Sequence, residues 1–234
     1  MNLDTYFSKK TLKPKFLDFF KWVLIDIFRM EKRKFSEYGL TLYCGRQGSG
    51  KTLSIVEYLE RMRRRYPKCL IVTNFFYKHE THSMKSWRDL LEIRNGTDGV
   101  IFALDEIHLE YNSNDWKDFP ESLLSEISQQ RKQRIKIVAS SQVFSRVVKQ
   151  LREQAFEVVE TRSILGRLIF QRCFDVEDYV SLTDNPERNR KVPRKYRYSF
   201  VVSDELRNLY DTYRKVEALR TKSFLPRKEK SYGV

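Results

Sequence analysis

Short apolar runs alternate with amphipathic stretches through the middle of the chain. A continuous apolar run bounded by polar residues is typical of a strand buried on both faces of a sheet. Runs of this kind predict strands over residues 40–44, 69–75, 100–106 and 135–142. Residues 155–162 alternate as a strand does, and residues 168–174 make a second strand across a turn at Gly166.

The stretches between these runs have the period of helices. Predicted helices cover residues 53–66, 87–93, 121–134 and 143–154. This alternation predicts a three-layer α/β fold, a mostly parallel sheet covered by helices on both faces. In such folds a ligand binds outside the carboxyl ends of the strands.

The junction of the first predicted strand and the first helix is rich in glycine. Three of the chain's 8 glycines fall within Gly45, Arg46, Gln47, Gly48, Ser49, Gly50, Lys51 and Thr52. Glycine allows backbone N–H groups to close on phosphate oxygens, and the helix that follows directs its positive end at the same anion. The pattern predicts a P-loop that binds ATP phosphates, with Lys51 at the β- and γ-phosphates and Thr52 on Mg²⁺.

A second chemical signal follows the apolar run at 100–104. Asp105 stands at the carboxyl end of this strand, where it can orient Mg²⁺ through water, and Glu106 can polarise the attacking water as general base. Gln142, at the end of the strand 135–142, is the predicted sensor of the γ-phosphate. Together with the glycine loop, these residues predict a P-loop NTPase of the RecA/ASCE-like kind, with ATP and Mg²⁺ as cofactors.

The most apolar part of the chain precedes this domain. Over residues 16–30 the polar side chains fall in one stripe, which predicts an amphipathic helix with a wide apolar face. The helix is too short and too charged to span a bilayer easily, and no cleavage site of a signal peptide follows it. It can pack on the domain, on a neighbouring subunit or in a membrane interface. We therefore divide the chain into an N-terminal segment, 1–36, the ATPase domain, 37–180, and a C-terminal extension, 181–234.

The net charge of the chain gives information about its binding partner. The net charge of +14 indicates a polyanionic partner, either nucleic acid or an anionic membrane surface. From Thr183 onward there are 14 Lys and Arg against 7 Asp and Glu, a net charge of +7. Basic residues here are interleaved with Tyr196 and Tyr198, which suits contact with a nucleic-acid backbone and equally a solvated tail.

The three cysteines, Cys44, Cys69 and Cys173, lie in predicted strands and share no metal-ligand spacing. They are expected to be buried free thiols, which favours a reducing compartment. The expected location is the cytoplasm of a host cell, with association to a virion or an inner membrane left open.

Several of these motifs together resemble the zonular-occludens-toxin-like ATPases, which are assembly ATPases of filamentous phages in the FtsK–HerA branch of P-loop motors. The resemblance covers about residues 38–165 and lies in the P-loop and in residues 72–74, 104–106, 130–132, 141–142, 149–152 and 158–162. It implies a ring-forming ATPase that moves, extrudes or packages phage DNA, with a virion, portal or envelope component as a further partner. It also implies an arginine that acts on a neighbour's nucleotide, for which Arg152 is the best match and Arg146 or Arg131 the reserves.

One departure from that family bears on function. Its filamentous-phage members carry a membrane-spanning helix after the ATPase domain, and nothing past residue 165 here could span a membrane. Packaging into a preformed particle therefore competes with extrusion through an envelope.

Two other functions remain open from the sequence. A nucleotide-gated, membrane-associated assembly scaffold would use the apolar face of residues 16–30 without moving DNA. Asp105-Glu106-Ile107-His108 also reads as the DExH box of a helicase. Such helicases need two tandem motor domains, and only one fits in this length. A GTPase is disfavoured because the chain has no base-reading motif of the Asn/Thr-Lys-x-Asp type.

Overall fold

The computed structural model describes residues 19–21, 23–25, 35–86, 88–107, 130–184 and 192–211. The chain forms two compact units, Met1–Lys34 and Phe35–Val234. Several predictions lie outside the described residues: most of the helix 16–30, His108, most of the helix 121–134 and the basic residues 188–191.

In the first unit, residues 19–21 and 23–25 are helical, in agreement with the predicted amphipathic helix. Three large apolar side chains there are exposed: Phe19 is 61% exposed, Phe20 58% and Leu24 53%. Within the described part of the chain, no helix has the length and apolar character needed to cross a membrane.

The second unit is built on one eight-stranded sheet. The strands are β1 (Gly39–Cys44), β2 (Leu70–Thr73), β3 (His82–Ser83), β4 (Val100–Leu104), β5 (Ile135–Ser141), β6 (Ala155–Ile164), β7 (Leu168–Asp175) and β8 (Tyr196–Val201). Their order across the sheet is β3-β2-β4-β5-β1-β6-β7-β8, so β5 lies between the strand before the glycine loop and the strand before Asp105.

The sheet is parallel from β3 to β6 and antiparallel beyond. β7 returns along β6 through a tight turn in which Leu165 has φ 51° and Gly166 φ 64°. β8 then pairs with β7, so residues 196–201 of the predicted basic extension belong to the sheet. No strand was predicted there because β8 lies at the sheet edge and has no continuous apolar run.

The helices of the described chain are short except for the first. They are α1 (Lys51–Arg65), α2 (Asp89–Glu92), α3 (Gln130–Gln133), α4 (Lys149–Glu153), α5 (Val176–Asp184) and α6 (Asp204–Arg207), with 3₁₀ turns at Gly96–Asp98 and Phe144–Arg146.

The single helix predicted over 143–154 is wrong. A 3₁₀ turn and α4 replace it, separated by Val147 and Val148, whose ψ angles of 135° and 137° are extended. Two consecutive β-branched residues lose side-chain freedom in a helix, which favours the break. α5 was not predicted, and the predicted helix 87–93 shortens to Asp89–Glu92.

Two hydrophobic cores cover the two faces of the sheet. On one face, α1 packs Ile55 and Leu59 into a cluster with strand residues such as Val138. On the other, residues of α2, α4 and α5 pack with Leu40 and Leu42. Alternate residues of β1 point to opposite cores, as the pleat requires. The predicted three-layer α/β fold with a mostly parallel sheet is therefore confirmed.

Candidate functional site

The glycine loop leads from β1 into α1 at the carboxyl edge of the parallel strands. Gly48 has φ 76° and Gly50 φ 89°, in the left-handed region that favours glycine. A Cβ on Gly50 would also lie 2.6 Å from Cδ1 of Ile169 in β7. A turn closes the loop, since the Ser49 amide donates to the Arg46 carbonyl oxygen at 3.1 Å. Glycine at position 50 is thus favoured by its left-handed conformation, and a side chain there would also crowd Ile169.

Lys51, the first residue of α1, is only 6% exposed. Its Nζ donates to the carbonyl oxygens of Gly45 at 3.0 Å and Arg46 at 3.3 Å. The same Nζ lies 3.8 Å from Oε1 of Glu106. The ammonium group therefore sits beneath the loop, between the loop's own carbonyls and the predicted general base.

Asp105 and Thr52 meet across the strand ends. The Thr52 hydroxyl donates to Oδ1 of Asp105 at 3.1 Å, and the Ser140 hydroxyl donates to the same oxygen at 2.6 Å. Ser140 also accepts the Glu106 amide at 2.8 Å. One buried serine on β5 thus contacts both acidic residues.

The backbone after β4 is fixed from its other side by Asn74. The Asp105 amide donates to Oδ1 of Asn74 at 2.7 Å, and Nδ2 of Asn74 donates to the Asp105 carbonyl oxygen at 3.2 Å. Glu106 has φ 53°, a left-handed conformation that is costly for a glutamate. The bonds from Asn74 and Ser140 hold the two carboxylates in this turn.

The donor set at this edge fits Mg²⁺. Thr52 and Asp105 offer a hydroxyl and a carboxylate oxygen, which are the hard ligands that this ion prefers, and the N-terminus of α1 favours a bound phosphate beside them. A metal held by these two side chains would neutralise charge that develops on a transferred phosphoryl group.

A cavity of about 840 Å³ opens beside the loop. Its walls come from the P-loop, from the segment after β5, from the end of β6 and from α5. The lining residues include Gly45, Arg46, Gln47, Gly48, Ser49, Gln142, Phe144, Arg152, Glu160, Thr161, Arg162 and Tyr179. Gln142, the predicted sensor, therefore lies at the cavity beside the loop.

The candidate arginines occupy three different places. Arg152 lines the cavity of its own chain, with its guanidinium carbon 5.6 Å from the ring centroid of Phe144. Its Nε is buried and has no hydrogen-bond partner. Arg146 is exposed on the 3₁₀ turn. Arg131 lies over the Tyr38 ring, beside the amino ends of β1 and β5, and so at the edge of the sheet opposite the P-loop.

Three features of the site were missed from the sequence. Ser140 carried a weak signal, as a polar residue at the end of an apolar strand. Thr161 is 2% exposed and shares a 2.9 Å hydrogen bond with the Ser49 hydroxyl. Tyr179 is placed by α5, a helix that the sequence pattern does not indicate.

The P-loop, the acidic turn after β4 and the strand inserted between them define the class. The chain has the fold of a P-loop NTPase, in the RecA/ASCE-like form. No family model and no curated protein matches its sequence.

Among solved structures, the chain is similar to the N-terminal domain of zonular occludens toxin from Neisseria meningitidis. The two share 18% identity with a TM-score of 0.52, over 74% of this chain and 98% of that one. The DNA-packaging ATPase B204 from Sulfolobus turreted icosahedral virus aligns at 12% identity with a TM-score of 0.43, over 59% of this chain and 93% of its own. At the level of the fold, the resemblance inferred from the sequence is confirmed.

Proposed function

We propose that this protein hydrolyses ATP and works as an oligomeric motor that moves viral or mobile-element DNA, in virion packaging or in assembly and extrusion. The observation that carries the ATPase part is the meeting of Lys51, Thr52, Asp105 and Glu106 at one edge of the sheet. Hydrolysis needs a phosphate cradle, metal ligands and a base for water, and these residues supply all three.

Each residue has a role that follows from its position. Lys51 is next to the loop that cradles the phosphates, so it exchanges its bonds to Gly45 and Arg46 for phosphate oxygens. Glu106 polarises the attacking water, and its strained turn fixes where its carboxylate stands. Gln142 senses the γ-phosphate from the cavity wall.

Arg152 is the candidate for stabilising charge on the transferred phosphoryl group. The family resemblance implies that such an arginine comes from a neighbouring subunit. Its position in the wall of its own chain's cavity favours action within the same chain. Arg146 and Arg131 remain the candidates for a contribution between subunits.

DNA is proposed as the cargo because of charge and resemblance. The net charge of +14 favours a polyphosphate partner, and the motifs shared with phage assembly ATPases indicate DNA. The proposed setting is the cytoplasm of a host cell, with a virion, portal or envelope component as the docking partner.

The decisive assay measures ATP turnover with and without single- and double-stranded DNA. Lys51→Ala is expected to abolish nucleotide binding. Glu106→Gln is expected to keep binding and to lower turnover by about a hundredfold or more, the usual contribution of a general base. Turnover that ignores DNA, together with no salt-sensitive DNA binding, would remove the motor function and leave an ATPase of another kind.

A second candidate function has one observation in its favour. Phe19, Phe20 and Leu24 expose their side chains on the N-terminal helical segment. These side chains suit a nucleotide-gated scaffold that docks on a membrane surface. Co-sedimentation with anionic vesicles, with and without ATP, separates this candidate from the motor.

A further inference from the structure

A basic surface lies on the outer strands of the sheet, away from the P-loop itself. Arg172 and Arg197 are directly opposed on β7 and β8, as are Phe170 and Ser199. Opposed residues of an antiparallel pair project from the same face. These four residues and Arg194 line a shallow cavity of about 480 Å³. We call Arg162, Phe170, Arg172, Arg194, Arg197 and Ser199 the arginine face.

The charges of this face are only partly matched. Arg172 is paired with Glu160 on β6. Arg194 and Arg197 have no acidic partner among the residues that the structure describes, and the Nε of Arg194 is buried without a hydrogen-bond partner. The nearby Asp175 is already bound to Lys195 at 2.7 Å. Two unmatched guanidinium groups that line one cavity, one of them with a buried unsatisfied donor, favour an anion there.

An aromatic side chain stands among these charges. Phe170 is 41% exposed although it lies within the sheet. Across the β6–β7 pair it is opposed by Arg162, whose side chain is 71% exposed. A ring on an open sheet face, flanked by guanidinium groups, can stack an unpaired base while the arginines hold the adjoining phosphates.

The bases of a duplex are stacked on one another and cannot lie flat on Phe170. The combination of charge and exposed ring therefore favours a single strand. We propose that the arginine face binds single-stranded DNA, with phosphates on Arg162, Arg194 and Arg197 and a base on Phe170. This inference rests on the proposed function for the choice of DNA as the polymer.

The same face adjoins the cavity of about 840 Å³ beside the P-loop. Arg162 lines that cavity as well, and Glu160 pairs with both Arg162, at 3.5 Å, and Arg172. A DNA phosphate that binds Arg162 or Arg172 competes with Glu160, which lies in the cavity wall. Glu160 therefore belongs both to the proposed DNA site and to the cavity beside the P-loop.

The test is fluorescence anisotropy of the full chain with a labelled oligothymidylate of about 20 nucleotides, long enough for one binding site. The double variant Arg194→Gln with Arg197→Gln is expected to bind about tenfold more weakly. Its slope of log affinity against log salt is expected to fall by about 1.4, because each phosphate contact on a single strand contributes about 0.7. Phe170→Leu keeps an apolar side chain but removes the ring, and is expected to cost about tenfold with the salt slope unchanged.

The matched control is Arg64→Gln with Lys68→Gln, which removes two exposed positive charges on and just after the end of α1. Its affinity is expected to stay within about twofold of the native chain, because long-range charge effects are screened by salt. Equal losses in the control and in the arginine-face variant would overturn the proposed site. Ser199→Glu provides an independent variant, since it adds a negative charge at an exposed position without removing any contact.

The possible failures are distinct. A native chain that binds no DNA overturns the proposed function. A native chain that binds DNA, with variants that bind equally well, overturns only the arginine face. If the variants lose affinity only for a duplex of equal length, the assignment to a single strand is overturned.

Discussion

Ser140 shows how one side chain can connect the parts of the proposed phosphate-transfer site. It is fully buried, donates to Asp105 and accepts the Glu106 amide, so it fixes the proposed metal ligand and the proposed base together. Neither of these hydrogen bonds involves the P-loop. Its role is to position the two carboxylates.

Ser140→Ala is expected to lower kcat for ATP hydrolysis by about tenfold to a hundredfold, as losses of supporting contacts around metal sites do. The KM for ATP should change little, because the loop and Lys51 remain in place. Steady-state kinetics measures both values. Stability should fall by about 1–3 kcal/mol, since the hydrogen bonds of Ser140 with Asp105 and the Glu106 amide are lost.

Ser54→Ala is the matched control for this change. Ser54 is an equally buried serine on α1, and its hydroxyl has no hydrogen-bond partner. Its kcat should stay near that of the native chain. A comparable loss in both variants would contradict the positioning role of Ser140.

At this scale the sequence predicts local chemistry well. Gly45 to Thr52 and Asp105-Glu106 were found because each motif is continuous in the chain and follows an apolar run. Ser140 was not chosen as a site residue because its function depends on β5 lying next to β4. That adjacency is a property of the sheet and is absent from any local pattern.

At the scale of elements, a buried carboxylate joins α1 to the segment after β2. Glu60 accepts hydrogen bonds from Tyr77, from Arg63 at 3.0 Å and from His79 at 2.7 Å. Burial alone would raise the pKa of Glu60, but these hydrogen bonds outweigh it and lower the pKa to about 2. The network therefore favours the charged carboxylate in the folded state.

Glu60→Gln is expected to lower the free energy of unfolding by about 2 kcal/mol at neutral pH, the scale of hydrogen bonds to a charged group. A depressed pKa contributes stability above the ordinary value of 4.5, and this contribution is lost as the pH falls toward 2. The difference between the native chain and the variant should therefore shrink across that range. Urea denaturation at several pH values measures it.

The exposed Glu92→Gln on α2 serves as the control for charge alone. Its unfolding curve should follow that of the native chain at each pH. A native chain whose stability is flat between pH 4.5 and pH 2 would contradict the lowered pKa of Glu60.

The strands that are most completely buried were the ones that the sequence predicted most clearly. β1, β4 and β5 are buried along their whole length and stood out as apolar runs. β8 alternates between exposed and half-buried residues, so its sequence looked like a basic extension. α5 and the break at Val147-Val148 depend on packing against the sheet, which periodicity does not report.

For the whole molecule, the open question is whether one chain holds a complete site. Mixing Arg152→Ala subunits with Lys51→Ala subunits answers it. Arg152 lies in its own chain's cavity, so each variant should lose turnover and their mixture should recover none. The loss in Arg152→Ala is expected to be about a thousandfold, as for other arginines that act on the transferred phosphoryl group.

Recovery in the mixture would show that Arg152 acts on a neighbour's nucleotide, as the family resemblance implies. Native subunits mixed with each variant provide the control for effects of a variant subunit on intact sites. Their turnover should follow the fraction of native chains if the sites act independently.

The sequence predicted the fold and the phosphate site of the whole molecule more fully than its surfaces. The P-loop and acidic turn are constrained by chemistry that every such NTPase shares. The arginine face is assembled from β6, β7, β8 and the residue two positions before β8, so its members come together only in the folded sheet.

The three cysteines of the folded protein are expected to be unreactive. Cys44, Cys69 and Cys173 are all buried, and burial raises the pKa of their thiols to about 12, about 11 and about 12. Alkylating reagents and oxidants need an accessible thiolate, so the native state offers them no target. Cys44 immediately precedes Gly45, at the root of the P-loop. The rate of thiol modification in this protein therefore reports how often the fold opens locally. Modification at Cys44 reports opening of β1 at its junction with the P-loop.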